Sequence, residues 1–285
     1  MTRVFTFALL LVASISARAA EYSLFARSNL VAWCIVPFDA KKRGPEERAQ
    51  MLDRLGIHKF AYDWRAEHIP TFEEEIDTCR KHNIEIIAWW FPTTLDKDAQ
   101  TILALLKRKN LHPQLWVMGG GEPTKSAEEQ QKRVESEVAR LRPIADAAAA
   151  IGCKVGLYNH GGWFGEPENQ LAIIKALKAP NVGIVYNFHH GHDQIERFPE
   201  LFAKMKPHLY CININGMLKD GERIGKKILT IGEGDQELAM LKVIEKSDWR
   251  GPIGILNHRP EMDAEEALRN NVEGLERLKR VAPLR

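Results

Sequence analysis

VGIVYNFHHGH, residues 182–192, is an apolar run that ends abruptly in one Asn and three His. Its β-branched first half predicts a buried strand, and the pattern of an apolar run ending in polar residues recurs along the chain. Eight such runs predict strands at residues 30–38, 59–64, 84–91, 114–118, 154–159, 182–187, 209–215 and 252–258. Amphipathic segments of helical periodicity separate the runs, and several of them end at Gly or Asn, as helix C-termini tend to.

The alternation of strands and helices predicts one α/β domain with a parallel sheet, because each helical crossover returns the chain to the same sheet edge. Eight units close into a (β/α)8 TIM barrel more readily than they form an open doubly wound sheet. A Rossmann fold is the alternative, but no G-x-G-x-x-G motif follows the first strand. We expect a single TIM barrel over residues 21–285.

The first twenty residues differ from the rest of the chain. Arg3 supplies a positive charge, an apolar stretch too short to span a bilayer follows, and Ala17-Arg18-Ala19 gives an A-x-A cleavage pattern. Residues 1–20 are therefore predicted to be a secretory signal peptide, and a buried N-terminal strand or helix is the alternative. The sequence thus predicts a periplasmic or secreted protein without a membrane anchor.

The composition is that of an ordinary globular protein. The 285 residues are 45% hydrophobic and carry a formal net charge of +2. Domains that bind nucleic acid usually show a strongly basic face, so nucleic acid is not an expected partner. No C-x-x-C pair supports a Cys-based zinc site, and buried structural thiols are expected at Cys34, Cys79, Cys153 and Cys211.

The barrel architecture predicts where function lies, because TIM-barrel active sites form at the C-terminal ends of the strands. In the seventh strand, residues alternate, so Asn213 and Asn215 share the face opposite Ile212 and Ile214. Asn187 takes the same inward phase in the sixth strand. Amides buried there need a partner, which is either a ligand or a structural amide network. We favour recognition of substrate hydroxyl groups.

Histidines follow three of the predicted strands. His160 follows the fifth strand, His258 follows the eighth, and His189, His190 and His192 follow the sixth. The inward phase of the strands directs His160, His190 and His258 toward one space, and His190 is the first choice for a chemical role. Such imidazoles bind a divalent metal or act as general acid and base near neutral pH.

Further residues complete the predicted site. Glu233, in IGEGD after the seventh strand, is flanked by two Gly that allow close backbone approach and is a candidate to support catalysis. Only one of Trp89 and Trp90 can face inward, because adjacent strand residues point to opposite sides. Together with the amides above, the predicted substrate-binding residues are Arg65, Trp90, Asn159, Asn187, Asn213 and Asn215.

These motifs carry a resemblance. NHGG after strand five, N-x-H-H-G-H after strand six, N-I-N-G after strand seven and then IGEGD resemble the xylose isomerase-like TIM barrels. The resemblance implies a sugar isomerase, an epimerase or a keto-sugar lyase. It also implies a divalent metal held by Glu, Asp, His and Glu, at positions that match Tyr158, Asn187, Asn213 and Leu256. All four of the usual ligands are therefore replaced in this chain.

Two hypotheses for the site follow from this departure. In one, His160, His190 and His258, with Glu233 as a further candidate, hold a transition metal such as Zn, Mn or Fe. In the other, His and Glu transfer protons without a metal, while Asn and Trp hold the sugar. The expected activity is proton abstraction next to the carbonyl of a small carbohydrate or keto-sugar. A non-catalytic carbohydrate-binding barrel with a degenerate metal site is the competing class.

Overall fold

The computed structural model describes residues 23–282 and 284, so the predicted signal peptide lies outside the described residues. In the described part of the chain, eight parallel strands form a closed barrel in sequence order, and the first strand pairs with the last. They are β1 (Leu30–Trp33), β2 (Lys59–Tyr62), β3 (Glu85–Phe91), β4 (Gln114–Met118), β5 (Lys154–Tyr158), β6 (Val182–Asn187), β7 (Leu209–Ile214) and β8 (Ile253–Leu256). The predicted (β/α)8 TIM barrel is confirmed.

Helices surround the barrel. They are α1 (Pro45–Leu55), α2 (Phe72–Lys81), α3 (Lys97–Lys109), α4 (Ala127–Ala149), a single turn α5 (Gly162–Gly165), α6 (Pro167–Leu177), α7 (Phe198–Met205), α8 (Glu237–Glu245) and α9 (Ala264–Val281). Asp96 and Ser126 begin α3 and α4 by accepting hydrogen bonds from backbone N–H groups of the first turn. Gly56 and Asn110 end α1 and α3 in the left-handed conformation that the sequence pattern predicts.

Strand alternation divides the apolar residues into two layers. In β6, Ile184 and Tyr186 pack outward against the helices, whereas Val185 points into the barrel. The barrel interior is filled by Val185 together with residues such as Trp33, Trp116 and Cys211. Because the interior is packed, the barrel is no pore, and a ligand can enter only at its ends.

The remaining structural predictions concern cysteines and membranes. Cys34, Cys79, Cys153 and Cys211 are all buried free thiols, as expected. Among the described residues, no helix combines the length and the apolar character needed to cross a membrane.

Candidate active site

A pit opens at the C-terminal end of the barrel, where the strand ends deliver most of the polar residues. The pit itself is narrow, about 50 Å³. At His160 and His190 it adjoins a cavity of about 460 Å³, which is within the size range of pockets that hold small molecules. The wall of the pit comes from six strands and the segments after them: Trp33, Cys34, Phe38, Asp63, Arg65, Trp90, Tyr158, His160, His189, His190 and His258. The structure thus brings His160, His190 and His258 together with Arg65 and Trp90.

Aromatic rings form the lower wall of the pit. The Trp90 and Tyr158 rings meet edge to face at 5.0 Å between centroids, and Trp33 lies 5.9 Å from Tyr158. Trp33 Nε1 donates a hydrogen bond to the Tyr158 hydroxyl at 3.1 Å. Trp64 Nε1 donates to the backbone carbonyl oxygen of Trp90 at 2.6 Å and so holds Trp90 in place. Trp89 belongs to the layer between the strands and the helices. These rings give the pit a rigid apolar face, which suits the apolar face of a sugar ring.

Four imidazoles run in a row across the pit. His160 and His190 have ring centroids 4.5 Å apart, His190 and His189 are 3.7 Å apart, and His189 and His258 are 5.8 Å apart. His189 and His190 both reach the pit because they lie in a 3-10 turn (Phe188–His190) directly after β6. Adjacent residues of a strand would instead point to opposite faces.

Burial lowers the pKa of every imidazole in this row. Desolvation, followed by the charge of His160, lowers the pKa of His190 to about 2, and the pKa of the fully buried His189 falls well below its ordinary value. Desolvation also lowers the pKa values of His160 and His258. Lys227 contributes to all four shifts. The row is therefore uncharged at neutral pH, and each ring offers one N–H donor and one nitrogen acceptor.

Asp63 lies just after β2 and is 1% exposed. Its Oδ1 accepts a hydrogen bond from the Val36 N–H at 3.2 Å, whereas its Oδ2 has no hydrogen-bond partner among the described residues. Desolvation raises the pKa of Asp63 to about 6, although the nearby Arg65 charge opposes the shift. A buried carboxylate oxygen without a partner is costly, so this position calls for a functional explanation.

Arg65 stands at the rim beside His258. Its Nη1 donates to the carbonyl oxygens of Asp63 and Trp64, both at 2.7 Å, and its guanidinium lies 5.4 Å from the centroid of the Phe38 ring. The His258 ring also packs against Phe38, with the two ring centroids 4.0 Å apart. The contacts fix the guanidinium at the mouth, where a positive charge is available to a polar ligand.

The backbone is strained where β1 and β8 end. Cys34 and His258 have φ angles of 56° and 42°, in the left-handed region that residues other than Gly seldom adopt. The two strained residues are joined by a hydrogen bond from the His258 N–H to the Cys34 carbonyl at 3.4 Å. Backbone strain of this kind costs on the order of 1–3 kcal/mol per residue and clusters at functional sites.

The predicted substrate-binding amides Asn159, Asn187 and Asn213 do not form the wall of the pit. Asn159, Asn187 and Asn213 are each at most 1% exposed. Both the backbone N–H and the Nδ2 of Asn187 donate to Asn159 Oδ1 at 2.7 Å, and Asn213 Nδ2 donates to Asn187 Oδ1 at 2.6 Å. These contacts form the structural amide network that the sequence offered as the alternative. We refer to Asn159, Asn187 and Asn213 as the amide chain.

Asn215 is also fully buried, but it serves the loop after β7. Its Nδ2 donates to the Gly216 carbonyl at 2.8 Å and approaches the Lys227 carbonyl at 3.4 Å. His192 holds the same loop, with Nδ1 3.2 Å from the Leu218 carbonyl and Nε2 2.9 Å from that of Lys227. The loop thereby carries Lys227 to the edge of a larger cavity that adjoins the pit at His160 and His190.

The prediction that Glu233 lies at the site needs correction. Glu233 is exposed and is not part of the pit wall. The buried carboxylate of Glu237 instead accepts hydrogen bonds from the backbone N–H groups of Gly232, Gly234 and Met217 at 2.9–3.0 Å. A Cβ at Gly234 would lie 2.2 Å from Glu237 Oε2, so the glycines of GEG wrap the backbone around Glu237 and turn Glu233 outward.

The residues of the pit do not fit the metal that the fold family implies. Tyr158 and Leu256 occupy two of the four ligand positions, and the amides of Asn187 and Asn213 at the other two are hydrogen-bonded within the amide chain. The rebuilt set of His160, His190 and His258 is not formed either, because no three His, Cys, Asp or Glu side chains in residues 23–282 and 284 are arranged to hold a metal ion. The imidazoles stack as a row, whereas a metal site needs nitrogens that converge.

Several residues of the pit wall were missed by the sequence analysis. Trp33 ends β1, and Cys34 and Phe38 follow it, in a run of apolar residues that gave no signal of function. Asp63 was not missed: it directly follows β2, and its position at a strand end makes it one of the candidate carboxylates at the rim, together with Glu67, Glu122 and Glu166, although no role was assigned to it. His189 was one of three His after β6, and only the 3-10 turn shows that it borders the pit.

Comparison with known proteins agrees with this architecture. The family model described as xylose isomerase-like TIM barrel matches residues 17–280. The chain belongs to this family. Among curated proteins, none matches the sequence. The expectation drawn from the four sequence motifs is therefore confirmed at the level of the family.

Solved structures of the same fold include sugar-acting enzymes. The 3-keto-D-glucoside 4-epimerase YcjR from E. coli is 13% identical, with a TM-score of 0.65 over 89% of this chain and 99% of that chain. The D-allulose 3-epimerase from Methylomonas sp. is 14% identical, with a TM-score of 0.63 over 88% and 98%. The probable 3-DHS dehydratase AsbF from Bacillus anthracis is 16% identical, with a TM-score of 0.65 over 87% and 98%. At these identities the likeness shows the fold.

Proposed function

We propose that the protein is an exported enzyme that moves a proton next to the carbonyl group of a small carbohydrate or keto-sugar. Isomerisation, epimerisation and elimination by a keto-sugar lyase all begin with this step. The observation that carries the proposal is the pit itself, where His160, His190, His189 and His258 face a ring of aromatic side chains. The epimerases and the dehydratase of the same fold support the choice of reaction class.

The geometry suggests how the sugar would lie. Its apolar face packs on the partly exposed Trp90, while its hydroxyl groups and carbonyl oxygen meet His160 and His190, which border both the pit and the larger cavity beside it. Uncharged imidazoles such as His190 donate hydrogen bonds through N–H and accept them through the second nitrogen. A neutral imidazole with a lowered pKa is a known device for polarising a carbonyl oxygen.

A D2O exchange experiment tests the proposal. The mature protein is incubated in D2O with D-xylose, D-fructose and methyl 3-keto-β-D-glucoside, and proton NMR follows replacement of C–H by C–D next to the carbonyl. The wild-type protein is expected to speed exchange in at least one sugar, and His190→Ala to slow it by about a hundredfold. His112→Ala is the matched control, because His112 is exposed before β4 at the opposite end of the barrel.

Binding without chemistry is the second candidate, and the aromatic wall together with the replaced metal-ligand positions favours it. In that case these sugars raise the melting temperature of the protein, yet the wild type produces no exchange. Exchange in His190→Ala at the wild-type rate would likewise contradict a chemical role for the imidazole row. Export is tested separately, by N-terminal sequencing of the protein recovered outside the cytoplasm, with cleavage expected near Ala20.

A further inference from the structure

The polar groups of the pit differ in how well they can act as a base. The four imidazoles are uncharged, and the lowered pKa of His190 makes its nitrogen a weak base. Asp63 is the one carboxylate among the described residues that line the pit. Its Oδ2 is buried and has no hydrogen-bond partner in the part of the chain that the structure describes, whereas Oδ1 is held by the Val36 N–H at 3.2 Å.

The surroundings of Asp63 hold the carboxylate in a fixed orientation. The Val36 N–H fixes one oxygen, and the strained Cys34 lies against the carboxylate from β1. Arg65 is bonded to the carbonyl oxygen of Asp63 itself at 2.7 Å and brings a positive charge near the carboxylate. The carboxylate therefore has one oxygen anchored, while the other lies buried beside the Cys34 thiol and accepts no backbone hydrogen bond from the described residues. A group that takes a proton from a ligand needs such a fixed orientation with lone pairs left over.

We propose that Asp63 is the catalytic base of the pit, and that the imidazole row serves mainly as hydrogen-bond donor to the carbonyl oxygen. This inference rests on the proposed function and replaces the His bases that the sequence suggested. Burial also raises the pKa of Asp63 to about 6, which brings a carboxylate into the range useful for proton transfer near neutral pH.

The step balances without any further reagent. The C–H bond next to the carbonyl breaks, its proton goes to Asp63 Oδ2, and its electron pair forms the C=C bond of an enediolate. The π pair of the carbonyl moves to its oxygen, which receives a hydrogen bond from His190. Return of the proton to the neighbouring carbon, with transfer of the hydroxyl proton between the two oxygens, gives the isomer and restores the carboxylate.

The test uses the same D2O exchange assay on the mature protein. Asp63→Asn keeps the shape of the side chain and removes the base, so exchange is expected to slow by about a thousandfold. In the wild type, the rate is expected to fall as the pH drops below about 6, where Asp63 gains a proton, and the residual rate of Asp63→Asn should lack this dependence. Glu137→Gln is the control, since it makes the same change at a buried carboxylate on α4.

A second variant guards against a merely structural effect. Asp63→Ala opens space for a small carboxylate, and added sodium formate is expected to restore part of the exchange, whereas sodium chloride should not. Exchange in Asp63→Asn within tenfold of the wild type, with the same pH dependence, would overturn the inference and leave the proposed function standing. Absence of exchange by the wild type with all three sugars would overturn the proposed function, and this inference with it.

Discussion

The amide chain and the imidazole row both lie at the C-terminal ends of barrel strands, and they differ in how far their polar atoms are satisfied. Asn187 bonds both to Asn159, at 2.7 Å, and to Asn213, at 2.6 Å, so its hydrogen-bonding capacity is largely used inside the protein. By contrast, His189 Nδ1 and Asp63 Oδ2 are buried and have no hydrogen-bond partner among the described residues. Satisfied groups stabilise a fold, whereas unsatisfied groups at the wall of a pit are available to a ligand.

The comparison also explains how this member of the family departs from its relatives. The amide chain occupies two of the positions where the family's metal ligands are expected, and neutral amides that bond to one another need no metal as a partner. Under the proposed function, the chemistry therefore belongs to the groups that line the pit, Asp63 and the imidazole row. We infer that the amide chain is structural and stabilises the ends of β6 and β7.

The largest effect on stability is expected from breaking the amide chain. Asn187→Ala removes the acceptor of Asn213 Nδ2 and a donor to Asn159 Oδ1, and it leaves a small cavity. Buried polar groups without partners and cavities each cost a few kcal/mol, so we expect a loss of about 3–4 kcal/mol in the free energy of unfolding. Urea denaturation of the wild type and the variant measures this difference in the free energy of unfolding.

The matched change in the imidazole row is His190→Ala, which removes a half-buried side chain whose ring packs against His160 and His189. Its cost should stay near 1 kcal/mol. If His190→Ala destabilised the protein as much as Asn187→Ala, the division between a structural amide chain and a chemical imidazole row would be wrong.

An effect smaller than that of Asn187→Ala should appear in the pH dependence of the free energy of unfolding. Burial raises the pKa of Asp63 from its ordinary value of 3.8 to about 6, so the folded protein holds this proton more tightly than the unfolded chain. Stability is therefore lost as the pH rises from about 4 to about 6, and the penalty stays constant above that range. The difference is worth about 3 kcal/mol at most.

Comparison with Asp63→Asn isolates this contribution, because all other titrating groups are shared. The wild type should lose stability relative to the variant between pH 4 and pH 6.5, as measured by urea denaturation at several pH values. A difference between the two proteins that does not change with pH would mean that Asp63 titrates normally.

The sequence was sufficient for the barrel because strand periodicity and the repeated units are local properties of the chain. The same periodicity placed Asn187, Asn213 and Trp90 on the inward side. What it could not show is which inward groups satisfy one another, since that depends on the register between strands. Asn187 and Asn213 are paired across β6 and β7, and this pairing brings their amides into hydrogen-bonding distance.

Two further differences arise from the backbone beyond the strands. Glu233 was placed at the site by its motif, but the N–H groups of the neighbouring glycines turn toward Glu237 and direct Glu233 outward. Cys34 and His258 adopt left-handed φ angles, which strand alternation does not anticipate. The site is thus specified by loop geometry that depends on tertiary contacts.

The central claim is that the pit works through its own acid and base groups, because its side chains do not form a metal site. The most direct test is the wild-type D2O exchange rate before and after dialysis against EDTA, with metal content measured by mass spectrometry. The account predicts an unchanged rate in protein that contains far less than one metal ion per chain. Loss of exchange on chelation, restored by Zn²⁺, Mn²⁺ or Fe²⁺, would contradict it.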